Sequence, residues 1–131
     1  MRRIGKDEVS VMNVQITITG TQTLDGTSET TRLSATGRME RDGDAWVLTY
    51  AESAESGMDG VTTQIRAGRD RAEIRRSGAL NSRLLLEEGG RRLCRYDTGY
   101  GFLQLGVHTH RVENRLEEGS GQLRLHYTLE L

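Results

Sequence analysis

From Leu123 to Leu131 every second residue is apolar: Leu123, Leu125, Tyr127, Leu129 and Leu131, with Arg124, His126, Thr128 and Glu130 between them. A helix cannot gather that set on one face, whereas a strand does so by geometry, because successive side chains point to opposite sides of a sheet. The preceding stretch repeats the pattern, with Leu103, Leu105 and Val107 alternating with Gln104, Gly106 and His108. Gly119-Ser120-Gly121 lies between the two runs and supplies the backbone freedom that a reversal needs. The pair is expected to form an antiparallel hairpin with one face in the core and one in water.

The rest of the chain reads the same way. Alternation and β-branched content predict strands over Val9–Thr21, Thr30–Met39, Trp46–Glu52, Val61–Ala67, Arg71–Ser77, Arg83–Glu87 and Arg91–Thr98. Asp25-Gly26, Asp42-Gly43 and Gly68-Arg69-Asp70 mark turns, and 53–60 is a loop. Gly37, inside the second strand, predicts a bulge or sharp bend. No helix is expected: the best candidate, 77–88, contains Gly78 and Asn81, and Leu84-Leu85-Leu86 is too short to show a period. Short strands joined by tight turns predict an all-β fold, an antiparallel up-and-down barrel of about eight to ten strands. Residues 1–8 form a polar lead-in, and 9–131 a single barrel domain.

Composition narrows the setting. Apolar residues make up 34% of the chain, and 16 glycines bring the total near the globular range, so a packed core is expected. A net charge of −1 gives no overall attraction to nucleic acid or anionic lipid. The one cysteine, Cys94, rules out an intrachain disulfide and suits a reducing compartment, so a cytoplasmic protein is expected. The segment MRRIGKDEVS lacks the apolar stretch of a secretory signal, and no run approaches the roughly 20 apolar residues of a spanning helix.

Parity along the strands locates candidate functional groups. The inward set Trp46, Leu48, Tyr50 continues to Glu52; Ala72 and Ile74 continue to Arg76; Cys94 and Tyr96 continue to Thr98. Strands three, five and seven run the same way in an up-and-down barrel, so Glu52, Arg76 and Thr98 are expected at one rim, with the Tyr96 hydroxyl just below. In strand eight the inward set continues to Thr109 and Arg111. An inward charge must be paired, hydrogen-bonded or wet, and Glu52 with Arg76 is the obvious pair. That pair is either a structural plug or part of a site for a small polar or anionic ligand anchored on Arg76. A lone carboxylate without a partner set is weak ground for catalysis, so no enzyme is expected and no catalytic residue assigned. His108 and His110 share a face, but by parity it is the wet one, and no metal site or cofactor is expected. Cys94 reads as a small core residue. Nine arginines face four carboxylates between residues 66 and 95, the best hint of RNA binding. Most of them fall on outward parity, as on any solvated strand face.

The blocks LTYAE (48–52), IRRSG (74–78), YDTGYGFLQL (96–105), HTH (108–110) and LHYTLEL (125–131) together resemble the YwiB-like family of small bacterial proteins, whose function is unknown. The resemblance covers nearly the whole chain after Val9 and implies a calycin-like, lipocalin-type closed β-barrel. Its pattern positions fall on Tyr50, Glu52, Arg76, Gly78, Tyr96, Thr98, Gly101 and Thr109. The chain departs from the pattern at Gly99, where proline is usual, and over Arg83–Leu86, where a more polar stretch is usual. The functional expectation is non-catalytic binding of a small polar or anionic molecule at the rim holding Glu52, Arg76, Tyr96, Thr98 and Thr109. Its alternatives are a structural or protein-interaction module with a filled barrel, and an RNA-associated protein using the Arg-rich outer face. A small-molecule ligand is the expected partner and a second copy of the chain the other candidate, with nucleic acid disfavoured and no membrane association.

Overall fold

Nine antiparallel strands follow one another round a single sheet in chain order. The computed structural model describes residues 11–24, 27–97 and 100–130. The strands are β1 (Val11–Leu24), β2 (Thr27–Asp42), β3 (Ala45–Ala51), β4 (Val61–Ala67), β5 (Arg71–Gly78), β6 (Asn81–Glu87), β7 (Arg91–Asp97), β8 (Phe102–Glu117) and β9 (Ser120–Glu130). One 3-10 turn, Ala54–Ser56, interrupts the loop after β3. The sheet curls into a nearly closed up-and-down barrel in which β1 and β9 carry no ladder to each other. The lower ends of these two edges still meet through side chains: Met12, Val14 and Ile16 of β1 share a cluster with Met39, Trp46, Leu48, Leu116 and Leu123.

Cross-strand register arranges the lumen in layers. One row runs Met12, Met39, Leu48, Ile65, Ile74, Leu84 across six strands, apolar at every step. Below it come Trp46, Ala67, Ala72 and Leu86. The second cluster, Ala72, Ile74, Leu84, Leu86, Cys94, Val107 and Val112, fills the opposite side. Removing this surface from water is the main stabilising term, at about 25 cal/mol per Å². The lower end is sealed by Asn114, whose Nδ2 donates to the carbonyls of Ala67 (3.2 Å) and Gly68 (2.8 Å), and Arg41 stacks over Trp46 at 4.8 Å.

Three local readings differ from the structure. Gly37 is not a bulge, since its register runs unbroken to Val14 and Tyr50. A Cβ there would lie 2.5 Å from the Thr49 carbonyl and 2.8 Å from Ile16, so glycine answers a close approach instead. The bulge is in β8: Thr109 pairs with Tyr127 and Arg111 with His126, leaving His110 as the extra residue. Alternation therefore flips. Arg111 faces water and pairs with Glu113 at 3.0 Å, while Val112 is buried in its place. This corrects the inward placement of Arg111 and spares the fold an unpaired buried guanidinium. The final reversal is made by Glu118-Gly119 rather than Gly119-Ser120-Gly121, since Glu117 pairs with Ser120.

The β6–β7 ladder holds only Asn81–Asp97 and Ser82–Tyr96. Below that point the turn is drawn elsewhere. Gly89 N–H donates to the Thr109 carbonyl (2.9 Å), Thr109 N–H to the Gly90 carbonyl (3.0 Å), and Glu88 N–H to the Asp70 carbonyl (3.0 Å).

Candidate functional site

Directly above the apolar row, register brings a polar one. Val14, Gly37, Tyr50, Thr63, Arg76, Ser82, Tyr96 and Leu103 are successive cross-strand partners from β1 to β8. Five adjacent members, Tyr50 through Tyr96, carry polar atoms into the lumen. Glu52 stands one step higher on the β3 side, where its N–H donates to the Val61 carbonyl at 2.8 Å. β5 is free to end at this level because Gly78, with φ of 109°, crosses Gly60; a Cβ at Gly78 would lie 2.3 Å from the Gly60 carbonyl oxygen.

Glu52 and Arg76 are both present, and they do not form the expected ion pair. The fully buried Thr63 hydroxyl donates to Glu52 Oε1 at 2.7 Å. Tyr50 is buried and in register with Thr63. Burial, then the Glu52 charge, pushes the Tyr50 phenol up to about 12, with the Arg76 charge pulling the other way. Glu52 is thus held by the Thr63 hydroxyl. The ion-pair expectation fails because a strand's end is not its register: Arg76 is level with Tyr50 and Thr63, not with Glu52.

Arg76 is left without an ion pair among the described residues, and its Nε is buried with no hydrogen-bond partner. Ser82, its register partner on β6, is buried with an unpartnered hydroxyl. Thr109, 1% exposed, also has an unpartnered hydroxyl. Thr109 pairs across β8–β9 with Tyr127. Burial raises the Tyr127 phenol and the Arg76 charge opposes that rise, so the guanidinium's field reaches the far wall of the lumen. Three inward polar atoms without partners are unusual in a finished core, where more than 90% of such groups are satisfied (roughly). Leu103, level with Tyr96, and Leu129, opposite Val107, are both on lumen parity yet remain 46% and 48% exposed. Beside Tyr50 and Glu52 the wall is notched where β2 and β3 part, leaving a cleft of about 140 Å³ lined by Ile18, Leu33, Ala35, Tyr50 and Glu52, among others.

Of the residues expected at the rim, Glu52, Arg76 and Tyr96 lie on the polar row or one step from it; Thr109 is buried with its backbone bonded to Gly89 and Gly90 of the β6–β7 turn, and Thr98 lies outside the described residues. Tyr50 was named only as an inward residue and a pattern position, and Thr63, Ser82 and Tyr127 were not named as site residues. The signal was available in part: Thr63 and Ser82 are polar residues on the inward parity of β4 and β6.

The other candidates fall elsewhere. His108, His110 and His126, all the histidines of the chain, cluster on the outer face around the bulge, with ring centroids 4.4 Å and 4.7 Å apart. His110 Nε2 is 2.7 Å from the Thr128 hydroxyl. Desolvation, then the His108 and His126 charges, holds His110 below the usual imidazole range. Among the described residues no group of three or more His, Cys, Asp or Glu is arranged to hold a metal ion. Cys94 is buried and free within the apolar cluster. The outer arginines are answered by acids: Arg75 and Arg83 both bond Glu73 at 3.0 Å, Arg66 pairs with Asp42, Arg91 with Glu130, and Arg92 with Glu87. Arg95 stacks over Phe102 at 3.7 Å. Among the described residues no helix is long and apolar enough to cross a membrane.

A family model described as a domain of unknown function, DUF1934, matches residues 16–131. A solved structure, the ywiB protein from Bacillus subtilis, superposes with a TM-score of 0.83 at 20% identity, covering 92% of this chain and 83% of that one. At that identity the likeness speaks for the fold. No curated protein matches.

Proposed function

The chain belongs to the DUF1934 family, whose description assigns no activity, and we propose that this member is a non-catalytic container that binds a small anionic molecule in the upper chamber of its barrel. Arg76 is the anchor; Ser82 and Tyr96 are the surrounding donors; Glu52, held by Thr63, guards the mouth. A lipocalin-type barrel of cytoplasmic location fits this reading, the latter because the lone cysteine is unpaired and buried.

The observation that carries it is the buried, unpartnered Arg76 Nε. Arg76 is half-buried, with its Nε out of reach of water and of any partner, and no carboxylate of the described residues contacts it; an inward polar group left so is costly unless something compensates. Planar, multi-donor recognition of an oxyanion is what guanidinium does best.

Native mass spectrometry of protein recovered undenatured from a bacterial lysate tests this. A discrete extra mass, lost on unfolding and absent from Arg76→Met, is the expected result. A bare mass in both proteins would sink the reading and favour a filled interaction module. The stability of the ligand-free variant gives a second check. Removing an uncompensated inward charge should leave the protein as stable as the parent, or up to about 2 kcal/mol more stable in urea. A loss of several kcal/mol would make Arg76 structural.

A further inference from the structure

The two edges of the sheet differ in what they offer a partner. Among the described residues neither β1 nor β9 has a strand on its outer side, so each presents a row of unpaired backbone N–H and C=O groups. We infer that β9 is a self-pairing edge: two copies of the chain join β9 to β9 antiparallel, about a two-fold axis at Tyr127, so that one sheet runs through both barrels.

The length left free sets the register. At Leu123, β9 already lies in the cluster that holds Met12, Val14 and Ile16 of β1. Leu125 and Tyr127 pack instead against the opposite cluster, which has no member from β1. The open stretch of β9 is therefore 124–130. Two identical antiparallel strands that use all of it are centred on its middle residue, Tyr127.

Charge selects the same register. With Tyr127 on the axis, Arg124 lies opposite Glu130 of the second copy and His126 opposite Thr128, and symmetry makes each contact twice. Arg124 is exposed and has no ion pair among the described residues. Glu130 bonds Arg91 of its own chain, and one carboxylate can serve two arginines, as Glu73 does with Arg75 and Arg83. Moving the axis to His126 sets Arg124 against Thr128 and the two His126 rings against each other, which loses both ion pairs. β1 has no charged side chain, so nothing on that edge codes for a register.

The lumen side agrees. The Tyr127 register sets Leu125 opposite Leu129 of the second copy, close enough to cover it. Leu129 is an inward-parity residue that is otherwise 48% exposed. The paired edge is short, so a weak, roughly micromolar dimer is expected.

Sedimentation velocity of the intact protein at low salt, over a concentration series, tests this. A reversible monomer–dimer equilibrium is expected. Arg124→Glu and Glu130→Arg should each raise the dimer dissociation constant about tenfold, because each sets like charges opposite one another at two places. Mixing the two variants makes both contacts attractive again and should return the constant to near the parent value. Amide exchange in the parent needs no variant: every second amide of 124–130 should slow as concentration rises, with the β1 amides unchanged. If either variant fails to fold, that pattern decides alone. A monomer at every concentration up to about 1 mM would overturn the inference. So would a dimer indifferent to the single exchanges, a mixture no tighter than its components, or slowing confined to β1.

Discussion

Tyr50 shows how one residue's chemistry depends on its neighbours. Its phenol is buried near the Glu52 carboxylate and raised to about 12. A folded-state value above the ordinary 10.0 means that the folded protein holds this proton more tightly than the unfolded chain. The stabilisation is complete below pH 10 and is lost as pH rises towards 12. Absorbance titration should therefore resolve two late tyrosines among the four, Tyr50 the later and Tyr127 before it, and Tyr50→Phe should remove the last component and lessen the alkaline fall in stability. A Tyr50→Phe protein that keeps the last component would show that the assignment to Tyr50 is wrong. His110 works with the opposite sign. Its value lies below the ordinary one, so its contribution is present at neutral pH and lost as pH falls below the normal imidazole range.

At the scale of a single strand, β8 decides what faces inward. Its alternation through Leu103, Leu105 and Val107 continues correctly to Thr109, and then one extra residue reverses it. Deleting His110 should force a choice between burying Arg111 and breaking the ladder to β9. The expected cost in urea unfolding is about 3 kcal/mol or more, whereas His110→Ala, which keeps the chain length, should stay within about 0.5 kcal/mol. Equal stability of the two variants would mean that the bulge is not what places Val112.

The same strand marks the boundary of what was legible. The half-buried character of β8 and β9 was plain from period two alone. The bulge was not, because His108-Thr109-His110-Arg111-Val112 offers a polar or small residue at either parity. The rim was legible in the same partial way. Parity put Glu52, Arg76 and Tyr96 inside, but the partners of Arg76 depend on how turns of different length offset neighbouring strands. That offset, which seats Thr63 and Ser82 beside Arg76 and lifts Glu52 above it, is a property of pairs of strands and is carried by no single stretch.

Seen whole, the barrel divides into a sealed lower half and a receptive upper half. Apolar rows and Asn114 close the bottom, and polar groups with unspent hydrogen-bonding capacity line the top. The division matters for how freely each half can change. Losses in the lower half act on stability directly: Leu86, fully buried, should cost about 2–5 kcal/mol when cut to alanine. On the proposed reading, changes in the upper half should instead show up mainly in binding.

The order of the strands bears on time as well as shape. Among the described residues every ladder joins strands adjacent in the chain, and the junction that would bring the two ends of the sheet together, β1 to β9, has no ladder. The chain can therefore add hairpin to hairpin without first closing its largest loop, which is the slow step for most all-β folds. Refolding should fall towards the fast end of the millisecond-to-second range typical of β proteins, in a single phase by stopped-flow fluorescence of Trp46, and with no proline in the chain no isomerisation phase should follow.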